Sequence, residues 1–412
     1  MSHLLSLKTS MSNIFRNYIF IILNIIFVFN ITNSTFSQTV YIEDRKMFLD
    51  GEEYRINGIC YARGEGNGEN SGYSYVDDIP LLVDANINTI RTYSAITNTA
   101  ELDAFAAAGI KVIMHLNENS YTWYVNQFKN HPAILMWEFG NEFNYNPQWF
   151  DNDIQNWYDL LESCASTVKS IDSNHPVSTA HGEVPNSQAL NSCPSIDVWG
   201  MNIYRWLSPE TAISELAAQT DKAIYISEAG ADSYNSNTNS ENWQQQADAT
   251  EIILNNIIQS SDLSIGVTLF EFCDEWWKAG NPNQQDTGGF SNSIPYDNYA
   301  NEEYWGIVTR DRQPKLSYYV VQDIYEQTSL STQISDEHNI RIFPNPVESG
   351  LLHIVHNVNY PVSIELYDGV GRRVLSAESI NDKIDISEIS EGIYNLHIHL
   401  QENIVYKKII VR

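Results

Sequence analysis

Two kinds of hydrophobic pattern alternate along most of the chain. Between Val40 and Gln327, short runs rich in β-branched and aromatic residues are separated by stretches with apolar residues at helical spacing. The eight short runs are Arg55–Tyr61, Asn88–Tyr93, Lys111–Leu116, Ala133–Phe139, Pro176–Ala180, Val198–Ile203, Ala223–Ser227 and Ser264–Phe270. The amphipathic stretches include Asp78–Ala85, Thr99–Ala108, Trp157–Ser170, Ala247–Gln259 and Leu316–Tyr325.

This alternation predicts an α/β fold in which a parallel sheet is covered by helices. Eight strand-helix units in about 270 residues match the usual size of a (β/α)8 TIM barrel. A doubly wound open sheet is the alternative, but no glycine-rich phosphate loop follows the first run. We therefore predict a barrel over residues 40–327.

The pattern changes after the barrel region. A polar stretch, Thr328–His338, is followed by residues that alternate between apolar and polar and are interrupted by turns. Strands are predicted at Val362–Tyr367, Ile393–Leu400 and Ile404–Val411. We expect a linker over residues 328–338 and a small all-β antiparallel sandwich over residues 339–412.

The N-terminal segment has the features of a signal peptide. Lys8 and Arg16 provide a basic start, and an apolar run follows from Tyr18 to Ile31. The small residues Thr35 and Ser37 predict cleavage of residues 1–37, with Gln38 as the mature N-terminus. The apolar run is short for a membrane span and no later segment approaches the required length, so no integral span is expected after cleavage.

The net charge narrows the range of partners. The chain has 23 Lys and Arg residues against 52 Asp and Glu, for a formal charge of −29. Such a surface repels nucleic acid and anionic lipid, so neither is expected as a partner. The 24 Tyr and 10 Trp residues suit a neutral ligand that stacks on aromatic rings, such as a sugar. The acidity alone identifies no substrate, because the solubility of an exported protein also explains it.

Two glutamates stand where a barrel enzyme places its chemistry, at the carboxyl ends of strands. The fourth run leads into Asn141-Glu142, and the seventh leads into Glu228. Hydrolysis of a glycosidic bond needs one carboxyl to protonate the leaving oxygen and another to attack the anomeric carbon. Retaining enzymes hold these groups about 5 Å apart, and the ionised neighbour raises the pKa of the acid. A lone glutamate would more often cap a helix or pair with a lysine, but the combination favours a catalytic pair.

Asn141-Glu142 and Glu228 resemble the acid/base and nucleophile of clan A glycoside hydrolases, which lie on strands four and seven. Longer segments resemble the β-1,3-glucanosyltransferases of glycoside hydrolase family 72. These are residues 78–82 with 88–94, 200–206, 270–272 and 304–308. The chain departs from that family at Ala229, where the family has Tyr, and it lacks the cysteine-rich appendage. Residues 137–142 are equally similar to the barrel of glycoside hydrolase family 2.

The resemblance also implies roles around the pair. Arg91 would support the nucleophile electrostatically, and Tyr204 would donate a hydrogen bond to Glu228. Tyr93 and Asn202 lie in the same matching segments and are expected at the substrate site, as is Asn141, which would donate to the sugar 2-hydroxyl. Arg91 and Tyr204 each have a purely structural alternative, since an arginine on a barrel strand often pairs with a buried carboxylate.

Further residues carry weaker expectations. Trp276, just beyond the eighth strand, is the candidate stacking platform for a sugar ring. His115 and His181 lack a third ligand at suitable spacing, so neither a metal nor a cofactor is expected. Cys60 and Cys273 stand near the ends of the first and last strands, which are neighbours in a closed barrel. A disulfide between them is therefore one alternative, and buried thiols are the other.

The tail has its own resemblance. Residues 343–346, 366–374 and 392–394, with Lys407-Lys408 near the end, resemble the sorting domain of the type IX secretion system over residues 341–412. This implies export through the periplasm to the cell surface or medium, with the secretion machinery as a partner. A carbohydrate-binding sandwich is the alternative, but the stretch contains no Trp for a binding face.

Together these features predict a secreted retaining glycoside hydrolase. The expected substrate is a β-linked polysaccharide or oligosaccharide, with a β-glucan as the first choice. One alternative is a β-glucan transglycosylase that uses the same two glutamates. The other is a non-catalytic glycan-binding surface protein, which would have no need of a matched acid and nucleophile.

Overall fold

A computed structural model describes residues 38–62, 72–333, 341–343, 347, 350–355, 362–368, 372–379, 383–399 and 404–411. The predicted signal peptide, residues 1–37, lies outside the described residues. Within them, no helix has both the length and the apolar character needed to cross a membrane.

Eight parallel strands form a closed barrel, in which each strand pairs with the next and the eighth lies between the seventh and the first. In chain order the strands are Ile56–Tyr61, Thr89–Thr92, Lys111–Leu116, Ile134–Asn141, Val177–Gly182, Val198–Asn202, Ala223–Glu228 and Gly266–Leu269. The eighth strand pairs with the first and closes the barrel, with Gly266 opposite Ile56 and Thr268 opposite Gly58. The predicted α/β barrel is confirmed.

Helices cover the outside of the barrel. They are Tyr75–Asp84, Thr99–Ala107, Tyr121–Phe128, Ile154–Ile171, Ser187–Ser192, Glu210–Ala217, Trp243–Gln259 and Leu316–Gln333, with short 3-10 turns at Phe143–Tyr145 and Pro147–Phe150. Several begin at a polar residue whose side chain accepts a hydrogen bond from the first turn, as Asn98 does from the Ala100 amide and Asp153 from the Gln155 amide. Such a cap satisfies an amide that has no partner within the helix.

The last barrel helix is longer than its sequence pattern indicated. It continues beyond Tyr325 to Gln333, into the segment predicted to be a linker. No Pro or Gly stands in that segment to end the helix. Thr328 is buried, and its hydroxyl donates to the Ile324 carbonyl, so this residue packs as part of the barrel.

The floor of the barrel is closed by the residues that precede it. Strands Val40–Glu43, Lys46–Leu49 and Glu52–Glu53 form a small antiparallel sheet. Its buried residues Val40 and Met47 pack with the first residues of barrel strands, including Ile56, Val198 and Ala223. Burial of each such side chain contributes about 1.5–3 kcal/mol. Because this end is plugged, the accessible mouth lies at the carboxyl ends of the strands.

A two-stranded antiparallel ribbon follows each of the last two barrel strands. Tyr234–Asn235 pairs with Ser240–Glu241 after the seventh strand, and Gly289–Ser291 pairs with Tyr299–Asn301 after the eighth. The second ribbon carries residues that reach the mouth.

The tail contains two antiparallel sheets. One consists of Arg341–Phe343, Leu351–Val355 and Lys383–Asp385, and the other of Arg373–Ser379, Val362–Tyr367, Gly392–His399 and Ile404–Val411. Leu352 and Ile354 from the first sheet share one buried cluster with Ile364, Leu366 and Ile398 from the second. The predicted all-β architecture of the tail is therefore confirmed.

The possible disulfide between Cys60 and Cys273 is not formed in the structure. The Cys60 thiol is buried and donates to the carbonyl oxygens of Ser227, at 3.3 Å, and Thr268, at 3.6 Å. Cys273 is also buried, where its backbone bridges to Val308.

Candidate active site

Glu142 stands at the mouth, directly after the fourth strand. Its backbone amide donates to the Ala180 carbonyl of the fifth strand at 3.0 Å, and its φ of 56° turns the chain away from the sheet. A non-glycine residue at positive φ is uncommon and is often found at functional sites. One carboxylate oxygen, Oε1, accepts a hydrogen bond from Asn202 Nδ2 at 3.1 Å.

The surroundings of Glu142 favour its protonated form. Burial and, next, the charge of Glu228 raise the pKa of Glu142 to about 7, against the effect of the Asn202 hydrogen bond. A carboxyl that stays protonated near neutral pH can donate a proton to a leaving oxygen.

Glu228 ends the seventh strand and has a different environment. It is 5% exposed, and three donors converge on its carboxylate. Arg91 Nη1 and the Tyr93 hydroxyl each donate to Oε1 at 2.8 Å, and the Tyr204 hydroxyl donates to Oε2 at 2.9 Å. These hydrogen bonds to a charged group fix the orientation of the carboxylate. The structure thus places Arg91 and Tyr204 on Glu228, as the resemblance implied, and it adds Tyr93, which was expected only at the substrate site.

Arg91 connects the barrel interior to the mouth. Its guanidinium is fully buried and binds Glu138 through Nε at 2.6 Å, Glu228 through Nη1 and Asn141 through Nη2 at 2.8 Å. Burial alone would lower the pKa of Arg91, but the charges of Glu138 and its neighbours raise it well above its ordinary value. Arg91 is therefore a fixed cation behind the nucleophile.

Glu138 is an interior residue, which lies deeper on the fourth strand than Glu142. It is fully buried and also accepts hydrogen bonds from Ser178, at 3.1 Å, and from the Tyr225 hydroxyl. Donors occupy both of its oxygens, so it serves to hold Arg91 in place.

Asn141 and Asn202 orient each other beside the two glutamates. Asn141 Oδ1 accepts from Arg91 and, at 3.1 Å, from Asn202 Nδ2. Asn202 Oδ1 in turn accepts from the Ser227 hydroxyl at 2.7 Å. Since Asn141 Oδ1 already has two donors, its amide nitrogen is the group directed to a ligand.

The two glutamates line one cavity of about 390 Å³. Its lining residues are Glu142, Tyr145, Glu183, Asn202, Tyr204, Glu228, Phe270, Phe290, Asn292, Ala300, Glu302 and Trp305. Tyr145 and Phe290 are 55% and 54% exposed, so their rings are available to a ligand. Trp305 is buried and packs edge to face with Phe270, with ring centroids 5.3 Å apart and an interplanar angle of 76°.

Trp276, the predicted stacking platform, is not among the described residues that line this cavity. The Arg310 guanidinium lies 4.7 Å from its ring centroid and covers one face. Tyr145 and Phe290 present exposed rings to the cavity instead. Tyr145 lies against Gly182, where a β-carbon would come within 2.2 Å of the ring.

Sequence reasoning missed two acidic residues of the cavity. Glu183 binds Arg205, with Nη2 and Oε2 2.5 Å apart, and Arg205 also binds Glu215. Glu302 follows the strand Tyr299–Asn301 of the second ribbon. Glu302 follows a loop ribbon, where no periodic signal marks it. Glu183 directly follows the fifth strand, as Glu142 follows the fourth, and that position was the signal that could have found it.

His115 and His181, the two histidines near strand ends, are not among the described residues that line the cavity. Burial lowers the pKa of His115 to about 4. Burial also lowers the pKa of His181, which contacts the Glu183 carbonyl and the Tyr158 hydroxyl. Within the described part of the chain, no three His, Cys, Asp or Glu side chains are grouped to hold a metal ion.

A closed eight-stranded barrel with this pair of carboxylates has the architecture of the clan A glycoside hydrolases. The profile of the glycosyl hydrolases family 2 TIM barrel domain matches residues 119–330, a little over half of the chain. The protein therefore belongs to glycosyl hydrolase family 2, and the comparisons support this family rather than family 72. The profile of the secretion system C-terminal sorting domain matches residues 341–412 and confirms the predicted secretion tail. It indicates a secreted or cell-surface protein.

Solved structures agree with the fold. A family 2 β-galacturonidase from Eisenbergiella tayi superposes with a TM-score of 0.52 at 22% identity, covering 70% of this chain and 54% of that protein. A β-glucuronidase from Bacteroides uniformis gives 0.52 at 16% identity, covering 91% and 48%. A β-glucuronidase from Faecalibacterium prausnitzii gives 0.53 at 18% identity, covering 70% and 52%. The chain thus spans about half the length of these proteins. No curated protein sequence matches it significantly.

Proposed function

We propose that this protein is a retaining glycoside hydrolase of β-linked glycans, with Glu142 as acid/base and Glu228 as nucleophile. Membership of glycosyl hydrolase family 2 supports the glycosidase class. The observation that carries the assignment is that two carboxyl groups in one cavity have different environments. Glu142 has a pKa raised to about 7 by burial and by Glu228. Glu228 is held by three donors.

In the first step, Glu228 attacks the anomeric carbon and forms a glycosyl ester as the bond to the leaving oxygen breaks. Glu142 gives its proton to that oxygen. Oε2 of Glu228 accepts only the Tyr204 hydroxyl among the described residues, whereas Oε1 accepts from both Arg91 and Tyr93. Oε2 is therefore the better nucleophile.

In the second step, Glu142 takes a proton from water, and the water oxygen displaces Glu228 from the sugar. Esterified Glu228 has no charge, so one of the causes that raise the pKa of Glu142 is removed. Glu142 is then more readily deprotonated, and in this form it can act as the general base. Asn141 donates its amide hydrogen to the sugar 2-hydroxyl in both steps.

The expected substrate is a β-linked polysaccharide, with a β-glucan as the first candidate. Its support is the pair of exposed aromatic rings at the cavity, Tyr145 and Phe290, which can stack on uncharged sugar rings. A transglycosylase is the second candidate. Tyr145 favours it, because this exposed ring follows Glu142 closely and can hold a sugar acceptor on the leaving-group side.

The test is product analysis on a panel of β-glucans, mannans, xylan and galactans. We expect turnover with retained anomeric configuration, read by proton NMR, and Glu228→Gln should abolish turnover while oligosaccharide binding persists. Glu251→Gln, the same change on the exposed face of an outer helix, is the matched control. Inverted products, or an active Glu228→Gln variant, would contradict the mechanism. Sugar transfer to added acceptor would favour the second candidate.

We further propose export through the periplasm, with residues 1–37 removed as a signal peptide. The barrel over residues 40–327 would act as the catalytic unit and residues 339–412 as the unit recognised by the secretion machinery. Support comes from the basic and apolar pattern at the N-terminus and from the match of the tail to sorting domains.

A further inference from the structure

The cavity has an uneven charge distribution. Its lining includes four carboxyl side chains, those of Glu142, Glu183, Glu228 and Glu302, and no Lys, Arg or His within the described residues. An anionic ligand would therefore meet acidic groups on several sides.

The cations that contact this region are already neutralised. Each binds two carboxylates: Arg91 binds Glu138 and Glu228, Arg205 binds Glu183 and Glu215, and Lys278 binds Glu271 and Glu275. Burial raises the pKa of Glu271 well above its ordinary value, so the Lys278 group is at most neutral. None of the three groups offers a surplus positive charge to a ligand.

Glu302 differs from the other carboxylates of the cavity. Its backbone amide donates to the Gly288 carbonyl at 3.0 Å, which anchors it on the second ribbon. Its carboxylate forms no hydrogen bond or ion pair with another residue of the described ranges, although it is half-buried. A carboxylate in this position is free to accept hydrogen bonds from a ligand. Burial raises its pKa, and the charge of Lys278 opposes that rise.

We propose that Glu302 is a specificity-determining residue: its carboxylate accepts hydrogen bonds from hydroxyls of an uncharged sugar and repels the carboxylate of a uronic acid. The inference rests on the proposed function and adds a substrate class to it. Two like charges in a partly desolvated cleft repel strongly, and such repulsion is an effective way to reject a wrong ligand.

The comparison proteins make this inference informative. They are described as β-glucuronidases and a β-galacturonidase, one of them bound to galacturonate. This chain would thus combine the same barrel fold with a preference for uncharged sugars.

A matched pair of covalent reagents tests the inference on the full mature protein. The pair is a cyclophellitol aziridine and its 6-carboxylate, which differ in a single charged group. Glu228 would open the three-membered ring and form an ester, while the ring nitrogen takes the proton of Glu142. Peptide mass spectrometry would measure the rate of labelling at Glu228.

We expect the uncharged reagent to label on the order of 100-fold faster than the carboxylate. Glu302→Gln should reduce that ratio roughly tenfold, because it removes the charge and keeps the shape. Glu251→Gln should keep the wild-type ratio. Independently of any variant, added sodium chloride should lower the wild-type ratio, since salt screens charge repulsion.

The outcomes separate this inference from the proposed function. Labelling of Glu228 by the carboxylate as fast as by the uncharged reagent would overturn the inference and leave the nucleophile in place. An unchanged ratio in Glu302→Gln, or in high salt, would also overturn it, because shape would then set the preference. If neither reagent labels Glu228, the proposed function fails and the inference fails with it.

Discussion

Replacement of Arg91 is the most informative perturbation of this barrel, because one side chain holds three others. Its fully buried guanidinium binds Glu138 at 2.6 Å and both Glu228 and Asn141 at 2.8 Å. Arg91→Met keeps the length of the side chain but removes the charge and all five donors. Two buried carboxylates would then lack their cation.

We expect a large loss of stability. Removal of one partner from a buried ion pair costs about 3–5 kcal/mol, because the remaining charge is left without compensation. Glu138 would then be a buried charge with no cation beside it, and Ser178 and Tyr225 would remain as its hydrogen-bond donors.

The assay is unfolding in urea, monitored by tryptophan fluorescence. All ten Trp residues precede residue 328, so the signal reports the barrel without the tail. Activity of the same samples should fall at least about 100-fold, because Glu228 and Asn141 lose the donor that orients them.

A double variant separates the two roles of Arg91. Arg91→Met with Glu138→Gln removes the interior charge as well, so its stability loss should be smaller than the sum of the single losses by about 0.5–3 kcal/mol. Its activity should stay low, because Glu228 still lacks Arg91. A loss below about 1 kcal/mol for Arg91→Met would refute the buried-pair reasoning. Recovery of activity in the double variant would refute the role assigned at the nucleophile.

Three further predictions concern Glu142 and the tail. The basic limb of kcat/KM should lie near pH 7, because activity needs protonated Glu142, and Asn202→Ala should move that limb to higher pH by removing a hydrogen bond that lowers this pKa. Glu142→Ala should recover activity in azide and yield a glycosyl azide of retained configuration, whereas an inverted azide would speak against the assignment. A chain that ends at Gln333 should keep its specific activity and pH profile but lose surface delivery, and a folded, inactive truncation would show that the tail contributes to the cleft.

The sequence pattern predicted the barrel well because strand and helix positions depend on local periodicity. The run Lys111–Leu116 agrees with the observed strand at both ends, and the seventh and eighth runs are within a few residues. Glu142 and Glu228 could be recognised for the same reason, since each ends a strand of strong hydrophobic character. The end of the last helix was misjudged at Tyr325, because polar residues there suggested a linker although nothing breaks the helix before Gln333.

Residues on long loops could not be predicted in this way. Phe290 and Glu302 reach the cavity from a ribbon formed between Gly289 and Asn301, whose pairing depends on tertiary contacts. Trp276 was chosen because an aromatic ring follows the eighth strand, but the cation of Arg310 lies over that ring. Composition identifies aromatic rings, whereas only the folded loop decides which of them meet a ligand.

The division between strand ends and loops also explains how this site can combine a shared mechanism with its own specificity. Glu142, Glu228 and Arg91 lie on or directly after strands that close the barrel, so their geometry is fixed by backbone pairing. Glu302 belongs to a loop ribbon that the barrel does not need for closure. A change there can alter the charge of the cleft without disturbing the hydrogen bonds that hold the nucleophile. We therefore expect a change in Glu302 to alter which sugars bind and to leave the geometry of Glu142 and Glu228 intact.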